Sequence, residues 1–406
     1  MPSLYGLERS GDVYKLVELL RESEKETVRR RAAEILGNLD DPESEGVDGL
    51  VEAMSDEAVS VRAAAIDALT QQEAVDALMK GLGRSVDDAG AEWAQAETFV
   101  EDLGSDTPEM RMAAANVLGL LGVTESARPL AARLERETEP RVRARIARAL
   151  GRVDEPSVAG ALVECLRGEP LEVRREAAES LGRLGGKTAL RGLLAVVDDD
   201  SETMRRATVS SLGRFGRTEP VDPLVERLGD GSDLVRRAAV FSLIEIMSNV
   251  PPGKSHELRE TIVDRMAARS DPSIVASLVE IIEEGSQLHQ RRNATWMLGR
   301  VAGDQSTKME AVEALVGELG ADDDLLSQFA ATGLAEIGGR SVETSLLEVI
   351  ESDRYGEDAV AMAAFALGKV GGDRAHQRLQ KLVDETENDE VRRRAFSAIS
   401  KLGGHS

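Results

Sequence analysis

A ten-residue pattern, V-R-x-x-A-A-x-x-L-G, recurs eleven times and constrains the fold more than any other feature of the chain. It begins at Val28, Val61, Met110, Val142, Val173, Met204, Val235, Gln290, Leu326, Ala359 and Val391. The steps are 33, 49, 32, 31, 31, 31, 55, 36, 33 and 32 residues. A period in the low thirties fits a helix–turn–helix unit that cannot bury its apolar face alone and must stack on its neighbours. A chain of 406 residues with one core would be expected to split into domains. A stack of repeats escapes that limit, because each repeat packs only on the next.

The fifth copy shows the geometry. At about 100° per residue, Val173, Ala177, Leu181 and Leu184 fall on one stripe, which should face the core. Ala178 and Gly182 lie beside it, where small side chains allow a neighbouring helix to approach. Arg183-Leu184 continues the pattern, so Gly182 is no stop; Gly185-Gly186 is. A shorter partner helix should precede each signature helix, as at Val158–Leu166, Leu190–Val197 and Val312–Leu319. Turns such as Gly168-Glu169-Pro170 and Asp198-Asp199-Asp200 should join them. Period-two alternation is almost absent, and the fold class expected is all-α.

The period, the helix–turn–helix unit and the V-R-x-x-A-A-x-x-L-G core resemble HEAT repeats, specifically the short HEAT-like repeats of the bilin-lyase type. The resemblance implies a right-handed alpha-alpha superhelix, a HEAT/armadillo-like solenoid of about eleven helix pairs, with the second helix of each pair on the concave side. It also implies that the arginines at the second position (Arg29, Arg62, Arg111, Arg143, Arg174, Arg205, Arg236, Arg291 and Arg392) form a ladder between repeats. The acids expected to join it stand four residues before the first position: Glu24, Asp106, Glu169, Asp200, Asp322 and Glu387. Ser327 and Val360 should interrupt the ladder at repeats nine and ten.

Two steps are too long. The first has room for one extra helix, at Glu73–Leu82 or at Ala91–Leu103, the latter carrying Trp93 and Phe99. The second has room for a helix near Ser255–Arg269, after the breaker Val250-Pro251-Pro252-Gly253, with an ordinary pair at Pro272–Glu283 and Gln290–Val301. The inserts could be degenerate repeats or partner-holding projections. The organisation expected is residues 1–249 with repeats one to seven and the extra helix around 73–103, an inserted helix and hinge at 250–270, and residues 271–406 with repeats eight to eleven.

The chain carries 74 acidic against 50 basic residues, a formal net charge of −24. Nine of the basic residues are lysine and 41 arginine. An acidic, lysine-poor surface suits a salt-rich, haloarchaeal cytoplasm, where ions screen self-repulsion. The same charge opposes general affinity for nucleic acid or anionic membrane. No apolar run is long enough to span a bilayer and no signal peptide opens the chain, so a cytoplasmic location is expected. Cys165 is the only cysteine, which excludes an intrachain disulfide and a cysteine metal cluster.

The solvent face of each signature helix holds the third, seventh and eleventh positions, and here the repeats differ. The expected partner-binding residues on the concave face are Arg175 and Arg183 in repeat five, Arg206 and Arg214 in repeat six, Arg237 and Phe241 in repeat seven, Arg292, Trp296 and Arg300 in repeat eight, and Phe365 and Lys369 in repeat ten. Arginine offers a planar fork for carboxylates, and arginine and aromatic side chains dominate interface energetics. The partner expected is another protein, held through an acidic segment or helix. The competing reading tucks the aromatics against neighbouring repeats and pairs the arginines with nearby acids.

The catalytic inventory is poor. His256, His289, His376 and His405 include no pair four residues apart. HEAT-type di-iron hydroxylases use several His-Glu pairs, and this chain has only His256-Glu257. No H-E-x-x-H, G-x-G-x-x-G, Walker or G-x-S-x-G motif is present, and Gly83-Arg84-Ser85 reads as a turn. No catalytic residue, metal or cofactor is expected. The resemblance therefore implies a non-catalytic scaffold or adaptor. In haloarchaea, HEAT-like proteins of this kind include taxis adaptors between the chemotaxis response regulator pathway and the archaellum motor. The alternatives it leaves are a bilin lyase-like enzyme or tetrapyrrole binder, which would need an enclosed apolar pocket, and a nucleic-acid-binding HEAT-like protein, which the acidity opposes.

Overall fold

The computed structural model describes residues 4–83, 92–249, 252–269, 271–302 and 307–403. Every regular element among them is helical. The chain forms two compact units, Met1–Ser211 and Leu212–Ser406, whose boundary falls inside the signature helix Glu202–Gly213.

Each signature copy lies in its own helix. In the first unit, Glu26–Asn38 packs on Val59–Gln71, and Pro108–Leu121 packs on Pro140–Val153, which packs in turn on Leu171–Leu184. In the second, Leu288–Val301, Asp324–Ile337, Glu357–Val370 and Asp389–Gly403 follow one another in the same way. The partner helices make a second layer, as where Val13–Glu22 packs on Glu43–Ala53 and Ala159–Glu164 on Gly186–Leu194. The stripe of repeat five is buried as its spacing requires: Val173, Ala177 and Leu181 are fully enclosed, and Leu184 nearly so.

Local chemistry starts and stops these helices. Pro108, Pro140 and Pro272 sit in first turns, where a missing N–H costs nothing. The carboxylates of Asp12 and Asp271 accept from the amides of Lys15 and Ser273. Leu171–Leu184 ends at Gly185, whose φ of 65° disfavours any side chain.

Close stacking has a specific device. A Cβ on Gly119, the tenth position of repeat three, would lie 2.8 Å from the Cα of Ala149, the eighth position of repeat four. The same contact recurs between Gly37 and Ala68 and between Gly182 and Ser211. The tenth-position glycine is therefore a contact point between neighbouring backbones.

Both long steps hold two helices. Val75–Gly81 and Glu92–Asp102 both form, so the first step carries the two alternatives together. Val75–Gly81 packs on Glu43–Ala53 and Val59–Gln71; Glu92–Asp102 packs on Pro108–Leu121 and buries Phe99. In the second step, Pro252–Ala267 and Pro272–Glu284 both pack on Leu288–Val301. The side chains of Trp93 and Pro252, residues 250 and 251 of the expected hinge, Arg84-Ser85 and His405 lie outside the described residues. One helix, Leu4–Ser10, was not foreseen; it lays Leu7 against Glu26–Asn38.

Candidate functional site

The ladder arginines bridge repeats, but largely not through the acids expected. Arg29 grips Asp56 at 2.8 and 2.9 Å, Arg111 grips Glu137 at 2.8 and 3.0 Å, and Arg174 pairs with Asp199. These carboxylates stand five residues before the next signature, not four. Of the expected set, Glu169 does pair, with Arg143 at 2.7 Å. Asp106 and Asp200 accept through their backbone carbonyls, from Arg111 and Arg205. The reason is local. A carboxylate at the fifth position back also accepts from the amide two residues on, as Asp56 does from Ala58 and Asp199 from Ser201. That geometry aims its remaining lone pairs at the preceding repeat. The carbonyl of the same residue takes a bond from its own repeat's arginine: Arg62 to Asp56, Arg143 to Glu137, Arg205 to Asp199. In the second unit Arg291 pairs with Glu318 at 2.8 Å, while Ser327 and Val360 offer no guanidinium.

Glu137 is the most enclosed of these acids. Burial raises its pKa, but hydrogen bonds from Arg111, the Glu139 amide and Arg133 outweigh it and hold the carboxyl down at about 2. Burial likewise opposes, and Arg29 overcomes, at Asp56, whose carboxyl lies below its ordinary value.

The face formed by the third, seventh and eleventh positions is not uniform. In repeat three it is covered, since Met112 and Asn116 are buried. Asp67 of repeat two reaches past it to Arg145 of repeat four, which also binds Glu172 at 2.6 Å. Beside this bridge lies a cavity of about 240 Å³ lined by charged groups, including Arg30, Glu34, Arg141 and Glu172. The third positions Ala63 and Ala361 are buried as well.

The expected partner-binding residues fall into two groups. The first is paired within the chain. Arg175 binds Glu176 at 2.6 Å and Glu179 at 2.9 Å. Arg237 pairs with Glu280, and Arg292 binds Asp323 through Nε at 2.9 Å. Arg300 binds Glu260 at 2.8 Å, approaches Glu336 at 3.5 Å and lies 4.5 Å above the Trp296 ring. Hydrogen bonding to Asp323 and to Glu260 raises the pKa of Arg292 and Arg300 respectively. Glu260 belongs to the inserted helix Pro252–Ala267 and Glu280 to the partner helix Pro272–Glu284, so the second long step supplies carboxylates to this face. Lys369 lies 4.7 Å over the half-buried Phe365, with Arg394 and Lys401 at 5.6 and 5.5 Å.

The second group carries no ion pair among the described residues. Arg183 and Arg206 in the first unit, and Arg214 in the second, are exposed and unpaired. Phe241 is 37% exposed and Trp296 is half-buried, so both rings reach the surface. Repeat four belongs to the same face, since its seventh and eleventh positions are Arg148 and Arg152. The register alone would have found them.

A helical repeat stack with small-residue contacts, an arginine–carboxylate ladder and a variable outer register is the architecture of a HEAT-repeat protein, and this chain belongs to that family. HEAT repeats match residues 13–98, 96–180, 160–245 and 312–400. The chain is 81% identical over 404 residues to the HEAT repeat-containing taxis protein of Halobacterium salinarum, with both chains covered completely. Among solved structures it is similar to an engineered protein at 22% identity and TM-score 0.45, covering 97% of this chain and 99% of that one. It is also similar to the phycocyanin lyase complex of Nostoc at 21% identity and TM-score 0.37, covering 66% and 91%. No helix among the described residues is long and apolar enough to cross a membrane.

Proposed function

We propose that the chain is a non-catalytic adaptor of taxis signalling that holds a partner protein on the signature-helix face. The observation that carries this reading is the end-to-end, 81% identity with a HEAT repeat-containing taxis protein. The exposed arginines and the surface rings of Phe241 and Trp296 support it, because these side-chain types anchor protein interfaces. In the finer form of the proposal, the chain links the chemotaxis response regulator pathway to the archaellum motor, and the partner it holds presents an acidic segment. The cavity on the signature-helix face of the first unit is small and lined in good part by charged and polar groups, which does not suit an apolar pigment. Deleting the gene in a haloarchaeal host should abolish or strongly reduce swimming reversals while leaving motility, and the intact chain should restore them. Unchanged reversal frequency after deletion would remove the taxis role.

A further inference from the structure

Repeats eight and ten build the same small motif and neutralise it differently. In each, an aromatic ring at the seventh position carries the cation of the eleventh, one helical turn on. Arg300 lies 4.5 Å from the Trp296 centroid, and Lys369 lies 4.7 Å from that of Phe365. The chain closes the first motif with its own carboxylates, Glu260 at 2.8 Å and Glu336 at 3.5 Å from Arg300. No carboxylate among the described residues closes the second. Instead the next signature helix, Asp389–Gly403, brings Arg394 to 5.6 Å and Lys401 to 5.5 Å from the same ring. Arg394 has Glu390 at 2.8 Å, an acid that also pairs with Arg393. Lys369 and Lys401 are exposed and carry no ion pair among the described residues.

Three cations within about 6 Å of one ring centroid are drawn to the ring but repel one another. In a chain with 74 acidic residues a carboxylate could have stood among them. The outward register here holds none: it reads Ala361, Phe365 and Lys369 in repeat ten, then Arg393, Ser397 and Lys401 in repeat eleven. Lys25 and Lys187 are also exposed without an ion pair, but among the described residues neither lies over a ring. The patch therefore lacks what repeat eight already has, and the missing carboxylates must come from outside the chain. Two carboxylates two residues apart on an extended segment stand about 7 Å apart, a span that suits cations gathered this closely. Phe396, three residues beyond Arg393 and so on adjoining helix surface, is 65% exposed. Aromatic rings are enriched at protein interfaces, and a bare polyphosphate has no apolar group to cover this one. A protein segment offers both kinds of contact.

We propose that Phe365, Lys369, Arg394 and Lys401 form a docking patch in the second unit for an acidic segment of a partner protein. Carboxylates of that segment take the role that Glu260 and Glu336 play in repeat eight. The proposal rests on the adaptor reading and places its anchor on repeats ten and eleven, because the arginines of repeats seven and eight are already paired. The ring holds the cations where the carboxylates arrive, so less side-chain freedom is lost on binding.

The test uses the full chain at the lowest KCl concentration that keeps its helical circular dichroism complete. A fluorescein-labelled decamer of glutamate is the probe and a decamer of glutamine the neutral control, both read by fluorescence anisotropy. The wild type should bind the glutamate peptide and not the glutamine peptide. Lys369→Gln/Lys401→Gln should weaken binding by roughly fivefold or more. Lys25→Gln/Lys187→Gln removes the same charge elsewhere and should bind as the wild type does. Phe365→Leu, which keeps every charge, should weaken binding by about twofold or more with its helical signal intact. Equal affinities for the two lysine-pair variants would overturn the patch and leave the acidic-segment reading standing. No binding by the wild type would overturn the acidic-segment reading itself, and the patch with it. Tighter binding of inorganic polyphosphate than of the glutamate peptide would overturn the assignment to a protein segment.

Discussion

Glu137 shows how one residue can hold two repeats together. Its carboxylate takes Arg111 from the repeat before it, and its carbonyl takes Arg143 from its own. Because the carboxyl is held at about 2 when folded against an ordinary 4.5, the folded form binds protons less readily than the unfolded one. The sign follows: the stabilisation is complete above about pH 5 and is lost as pH falls through 4.5 toward 2. At pH 3.5 this one group should already have lost roughly 1–1.5 kcal/mol. Glu137→Gln should be less stable than the wild type at pH 7, by about 3 kcal/mol, because two arginines lose their charged acceptor. Its stability should then fall less between pH 7 and 3.5. Urea unfolding at the two pH values measures both effects, and an equal acid loss in variant and wild type would show that Glu137 is not the sensor. Arginine recurrence made the ladder legible in the sequence, but the identity of its acids was not. Whether the fourth or the fifth residue back points at the previous repeat is decided by which one turns to accept the helix-starting amide.

At the scale of the element, the tenth-position glycine sets how closely signature helices stack. Alanine is a better helix former than glycine by about 1 kcal/mol, so an exposed helix would gain from the exchange. At Gly119 the new Cβ would meet the Cα of Ala149 at 2.8 Å and its Cβ at 3.0 Å, and backbone cannot swing aside. The overpacking cost of about 1–3 kcal/mol should exceed the propensity gain. Gly119→Ala is therefore expected to lower stability by roughly 1–2 kcal/mol, read as a reduced midpoint in thermal or urea unfolding. A stabilised variant would mean that the neighbouring repeats separate freely. The glycine register and the apolar stripe were readable from the repeated pattern, which is why every signature helix falls where expected. Contacts that skip a repeat were not. Asp67 and Arg145 stand 78 residues apart and meet only because repeats two and four close over Met112 and Asn116. Leu4–Ser10 also escaped, since a single buried Leu7 leaves no periodicity to read.

Over the whole molecule, salt acts in two opposite directions. The exposed ion pairs, such as Arg21–Glu45 and Lys80–Asp48, are each worth about 0–1 kcal/mol and weaken as ions screen them. The ladder pairs lie deeper, with Arg29 and Arg111 under 10% exposed, and are screened far less. Against these stands the self-repulsion of a net charge of −24, which acts between groups many ångströms apart. At about 10 mM salt the screening length is roughly 30 Å, and at 1 M it is roughly 3 Å. Removing salt therefore lets repulsion reach across several repeats at once, while strengthening only contacts that were already short. Repulsion should win. Helical circular dichroism should fall as KCl is lowered from about 2 M to about 10 mM, and the unfolding midpoint should rise steadily with salt over the same range. A helical signal and a midpoint unchanged across that range would mean that the pairs described here compensate the excess charge locally, and that the acidity of the chain serves its surface and not its fold.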